Sequence, residues 1–192
     1  ASAAPASAGG GASVASAAEE PAFDLSGRRG PRRPRAPRTP GGTEPEPGLD
    51  ETEWLVDVVS SCGQTVDSSN LLGVSNDQTL YAVVNPPRAN TYEDAYFPAA
   101  YGSSGSGPFA SDVRPEGSSA YTWNVEVAST NTTSNHTLRL AGLDGISPKW
   151  QFSLVDQQTG ATVNLRSVGD YTFRIPSGGA PVRFQITATH TN

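Results

Sequence analysis

The stretch Lys149–Ile175, KWQFSLVDQQTGATVNLRSVGDYTFRI, decides the fold class. Trp150, Phe152 and Leu154 alternate with Gln151, Ser153 and Val155, the period-two pattern of a half-buried strand. Asp156 to Gly160 then reverse the chain, because Asp bonds its own backbone and Gly adopts positive φ at no steric cost. Thr162 to Leu165 read as the returning strand, and Tyr171, Phe173 and Ile175 as a third, so a β-meander is expected. The stretch sets architecture and carries no reactive constellation.

Outward from it, strands recur across the second part of the chain. Trp54, Val56 and Val58 alternate with Leu55, Asp57 and Val59; Leu80 to Val84 form a second strand stopped by Asn85-Pro86-Pro87. Between them, residues 65–79 read as a loop anchored by Leu71 and Leu72. Residues 99–120 read as long and irregular, a length usual for functional or mobile loops. Tyr121 to Val127, Thr137 to Ala141 and Val182 to Ala188 complete the set. About eight strands with short turns predict an all-β fold, an immunoglobulin-like or jelly-roll sandwich, over residues 51–192.

Residues 1–50 differ. They hold eight of the 16 prolines and one aromatic residue, Phe23, and they bury too little apolar surface to order alone. An Ala/Ser/Gly tract with Val14 as its sole branched apolar side chain leads to a short patch, Pro21 to Leu25, in which Phe23 and Leu25 flank Asp24. Arg28, Arg29, Arg32, Arg33, Arg35 and Arg38 follow among prolines, a composition that favours extended polyproline-like backbone. The block reads as a stiff solvated arm, or as a binder of acidic surfaces. No aromatic residues interleave with it, so nucleic acid is not the expected partner. From Glu51 onward Asp and Glu number 13 against 7 Lys and Arg, so the sandwich carries the whole net charge of −6. The arm of one copy is therefore attracted to the sandwich of another, or to its own.

Composition bears on compartment. Gly, Pro, Ser and Thr abound, charged residues are only 17 %, and a small-residue start without Met reads as a processed, secreted product. Cys62 is the single cysteine, which removes an intrachain disulfide; it reads as a small buried hydrophobe, or as an intermolecular bridge or a nucleophile. No apolar run approaches the about 20 residues of a membrane-spanning helix.

The order of features resembles a known class of module. A strand opening on Trp54, D-x-x-N-x-L-G-V from Asp67 to Val74, Y-F-P from Tyr96 to Pro98, S-D-V-R-P from Ser111 to Pro115, and W-x-x-x-L-x-D-x-x-T-G-x-x-V-x-L from Trp150 to Leu165 are similar to immunoglobulin-like modules of secreted and cell-surface bacterial proteins, of the flagellar-hook-capping and secretion-sorting type. The resemblance covers residues 53–192. It implies a non-catalytic scaffold or adhesive module exported to the surface.

Candidate site residues are few. His136, placed in a turn, and His190 lack metal-pair spacing, and Glu93-Asp94 point to opposite faces of an extended chain, so no catalytic residue, metal or cofactor is assigned. Asp67, Asn70, Asn76 and Asp77 read as turn formers before calcium ligands. Asn131 and Asn135 open two glycosylation sequons, which also read as plain turn residues. Tyr92, Tyr96, Phe97 and Tyr101 form a candidate ligand loop for stacking on sugar rings, or a cover for one end of the sandwich. The expected function is a secreted structural subunit of a filament, pairing copy to copy, head to tail, through a contact arm of Val14, Phe23, Leu25 and the six arginines. A module binding surface polysaccharide is the alternative.

Overall fold

Ten strands occupy residues 52–191, the part of the chain that the computed structural model describes. The arm residues Val14, Phe23, Leu25 and Arg28 to Arg38 lie outside it. The strands are β1 (Trp54–Cys62), β2 (Thr65–Val74), β3 (Glu93–Tyr96), β4 (Ser111–Arg114), β5 (Ala120–Ser129), β6 (His136–Ala141), β7 (Trp150–Asp156), β8 (Thr162–Asn164), β9 (Tyr171–Phe173) and β10 (Val182–His190). They form two five-stranded sheets, ordered β4-β2-β1-β6-β9 and β3-β5-β10-β7-β8. Only β1-β2 and β7-β8 are hairpins within one sheet; every other step along the chain changes sheet. Residues 52–191 are thus all-β and sandwich-like, with one core between the sheets.

Alternation builds that core. Trp54, Val56 and Val58 of β1 face Trp123 and Val125 of β5, Phe152 and Leu154 of β7, and Phe184 and Ile186 of β10. The Trp54 ring meets Trp123, Trp150 and Phe152 edge-on at 5.8, 5.3 and 5.1 Å, each such pair contributing about 0.5–1.5 kcal/mol beyond its buried area. Gly73, opposite β1, is fixed by close approach: a Cβ there would lie 2.2 Å from the Trp54 carbonyl oxygen.

The expected meander is corrected. β7 and β8 form the hairpin, with Gly160 at φ 75° and Asp156 Oδ1 accepting from the Gln158 and Thr159 amides. Instead of continuing as a strand, Leu165 starts a single-turn helix, α1 (Leu165–Val168), whose first turn is capped by Asn164. The chain then crosses to the other sheet, where β9 pairs with β6. Phe173 and Ile175 are buried as their alternation requires. Period two reports which face is buried and is silent on the pairing partner.

Two further expectations fail. Leu80 to Val84 is not a strand: Gln78–Leu80 is a 3-10 turn capped by Asp77, and Val84 makes only an isolated bridge to Phe109. The segment read as a loop is β2, whose polar residues are absorbed rather than solvated. Asp67 accepts from Asn70 Nδ2 at 2.6 Å, the Ser69 amide at 3.2 Å and the Ala95 amide at 2.8 Å, across a register shift opposite Val58/Ser60. The stretch read as irregular contains β4, which pairs parallel to β2. Short strands such as β3, β4, β8 and β9 account for ten strands where about eight were expected. Phe97, after β3, and Phe109, before β4, exchange backbone hydrogen bonds of 2.9 and 3.0 Å and so tie the sheets together along one flank.

Candidate functional site

The flank formed by β3 and the outer side of β5 carries a strip of paired charged and aromatic side chains that includes Tyr92, Asp94 and Tyr96. Arg88 lies between the rings of Tyr92 and Tyr96, its guanidinium carbon 5.0 Å from each centroid. Its Nε donates to Asp94 Oδ2, and Asn85 Nδ2 donates to the other oxygen at 2.7 Å. Tyr96 Oη donates to Glu126 Oε2 at 2.6 Å, and Arg183 Nε to Oε1 at 2.9 Å. Burial, followed by the hydrogen bond to the Glu126 carboxylate, pushes the Tyr96 phenol up to about 12. The strip therefore alternates cation, ring and carboxylate from β3 across β5 to β10.

The four candidate ligand-loop aromatics are not brought together as a stacking platform. Phe97 is fully buried and Tyr96 nearly so, which corrects their reading as faces for a sugar: both belong to the core flank. Tyr92 is half-buried against Arg88. Tyr101 is exposed, 5.4 Å edge-on from Tyr81.

A buried polar constellation, missed in the sequence, spans the two sheets. Glu93 on β3 reaches across to Ser60 on β1 and His136 on β6. Ser60 Oγ donates to Glu93 Oε1, His136 Nδ1 lies 3.0 and 3.1 Å from the two carboxylate oxygens, and Nε2 lies 2.9 Å from the Asn131 carbonyl. Both side chains are 0 % exposed. A carbonyl only accepts, so Nε2 is the nitrogen that donates to Asn131, and Nδ1 is the one that faces the Glu93 carboxylate. The connectivity differs from a nucleophilic triad, because the serine sits on the carboxylate and the far ring nitrogen on a backbone oxygen. His136 is the first residue of β6 and not a turn residue, a correction. Its signal was present: His136, Leu138 and Leu140 alternate with Thr137 and Arg139, which places the histidine on the apolar face. Glu93 and Asp94 do diverge, one inward and one toward Arg88.

The remaining candidates are placed as follows. Asn131 holds its own turn, its Oδ1 accepting from the Thr133 and Ser134 amides, while exposed Asn135 accepts from Arg174 Nε at 2.8 Å. Cys62 is buried; desolvation first, then the nearby Glu93 carboxylate, pushes its thiol up. Asp67 and Asp77, weighed together for calcium, spend their oxygens on different partners, Ala95 and Asn70 for one and Thr79 for the other. At the end of the sandwich where β5 and β7 begin, a cleft of about 240 Å³ has Tyr121 and Trp150 in its wall with Glu116, Ser118, Ser119 and His190 around them. No helix among the described residues is long and apolar enough to cross a membrane.

Comparison with protein-family models, curated proteins and solved structures found no match to this chain.

Proposed function

We propose that this chain is a non-enzymatic structural subunit of an extracellular or cell-surface filament, an immunoglobulin-like sandwich that joins head to tail through residues 1–50. The observation that carries the reading is the shape of the sheet edges. Each sheet ends in strands of three or four residues, β4 and β9 in one and β3 and β8 in the other, laid against neighbours of six to ten. Parts of the longer strands therefore lack an outer partner, the circumstance in which an extended segment adds as a further strand. A contact between an arm on one copy and an edge on the next does not close on itself and generates open chains. The surplus of 13 acidic over 7 basic residues from Glu51 onward complements the six arginines of the arm. Composition, rich in Gly and Ser and poor in charge, supports export.

Sedimentation velocity on the full chain and on Phe23→Asp/Leu25→Asp tests this reading. The unaltered chain is expected to form a concentration-dependent ladder that weakens with salt, and the variant to stay monomeric. An unaltered chain that remains monomeric at the highest attainable concentration overturns it.

A second reading, carbohydrate binding, is favoured by the cleft at Trp150 and Tyr121, where apolar ring surface meets a carboxylate and two serines. Binding on a glycan array that is lost in Trp150→Ala, with the fold retained, would promote it over the first.

A further inference from the structure

We infer that the acceptor edge of this assembly is the outer side of β5 from Ala120 to Val125, and that its occupant is the apolar patch Pro21 to Leu25 of a second copy. The inference rests on the filament reading and assigns its contact. β3 covers only Glu126 to Ser129 of β5, so six residues of a ten-residue strand extend beyond it. The direction of their backbone groups follows from the ladder. His190 N–H donates to the Ser119 carbonyl on the β10 side, and Thr130 N–H donates to the Tyr92 carbonyl on the β3 side. Hydrogen-bonding pairs alternate along an antiparallel strand, so odd-numbered residues of β5 bond β10 and even-numbered ones face outward. Glu126 and Ala128 are met by β3, and the backbone N–H and C=O of Ala120 are bonded to Ser118 Oγ. Thr122 and Asn124 are left: among the described residues no strand or hydrogen bond reaches their outward N–H and C=O groups.

The other uncovered stretches are partly taken or short. On β2, Asp67 takes the Ser69 amide and binds the Ala95 amide that follows it from β3, and the Leu71 amide is taken by the Ala110 carbonyl. On β7, the Trp150 carbonyl accepts from Arg166 Nε at 2.9 Å, beside α1. On β6 only Arg139 to Ala141 extend past β9. The β5 edge has no proline or lysine to guard it, the usual devices against strand addition. A five-residue donor matches an opening of six.

Proline tests the assignment with little cost to the fold. Thr122→Pro and Asn124→Pro remove N–H groups that the β5-β10 ladder does not use, so circular dichroism and the melting temperature should stay near those of the unaltered chain. Assembly by the full-length variants is expected to weaken at least about tenfold. Hydrogen exchange on the unaltered chain gives an independent readout: the Thr122 and Asn124 amides exchange fast in dilute solution and become protected on assembly, while Trp123 and Val125 are protected in both. Assembly that is unchanged in both proline variants, or that leaves the Thr122 and Asn124 amides fast, overturns the edge while the filament reading stands. Protection that persists in Phe23→Asp/Leu25→Asp overturns the arm as occupant and indicates β5 pairing with β5. A chain that never assembles overturns both the edge and the filament.

Discussion

Truncating Glu93 to alanine should be among the most damaging single changes in the sandwich. The carboxylate is the only described group that bonds β1 and β6 from the opposite sheet through one side chain, with Ser60 Oγ and His136 Nδ1 both on it. Glu93→Ala leaves the fully buried imidazole and hydroxyl facing a void, and removing one partner of a buried charged couple costs about 3–5 kcal/mol. Against a total stability of about 5–15 kcal/mol that is a large share. With a urea m-value of about 2 kcal/mol/M, the midpoint of equilibrium unfolding should fall by about 1.5–2.5 M. The same reasoning requires partial rescue when both partners become apolar, since well-packed replacements of such couples are often neutral or stabilising. Glu93→Leu/His136→Phe, with the new ring near Phe173, whose centroid lies 5.4 Å from that of His136, should recover more than half of the loss. A single substitution that moves the midpoint by less than about 0.5 M, or a double variant no better than either single one, would refute the reasoning.

Arg166→Lys should cost about 2 kcal/mol in thermal unfolding, because the guanidinium donates to the carbonyls of Trp150, Leu143, Ile146 and Ser147 at once and an ammonium cannot span them; an unchanged melting temperature would contradict this. Absorbance at 295 nm should show one tyrosine ionising near 12, absent in Tyr96→Phe. Because the folded value lies above the unfolded value near 10, Tyr96 favours folding at neutral pH and that contribution is lost as pH rises from about 10 through about 12; a titration in which every tyrosine ionises together near 10 would count against the Glu126 contact. Cys62 should resist a disulfide reagent at pH 8 until urea unfolds the chain, and stoichiometric labelling within seconds in buffer would show that the thiol is neither buried nor raised.

Much of the architecture was written in period two. Trp54 to Val58, Trp150 to Leu154 and Val182 to Ala188 alternate cleanly, and all are core strands. What alternation lacks is the identity of the neighbour, so Tyr171 to Phe173 reads as the third strand of a meander yet pairs with β6 in the other sheet. β2 hid for a different reason. Its Asp67, Ser68, Ser69 and Asn70 are turn residues by composition, and only the fold shows Asp67 satisfying the Ser69 and Ala95 amides at a register shift. The Ser60-Glu93-His136 constellation joins residues 33 and 43 positions apart, a distance over which local pattern carries no information. The open edge of β5 was equally hidden, since it follows from where β3 stops. The Arg88 strip was half legible: Tyr92 and Tyr96 drew notice as rings, but their partner is the chain's own arginine.

Negative-stain electron microscopy of the full-length chain, concentrated at low salt, tests the filament reading most directly. Unbranched filaments that shorten or vanish in Phe23→Asp/Leu25→Asp are the expected result. Isolated globular particles at every concentration would contradict it.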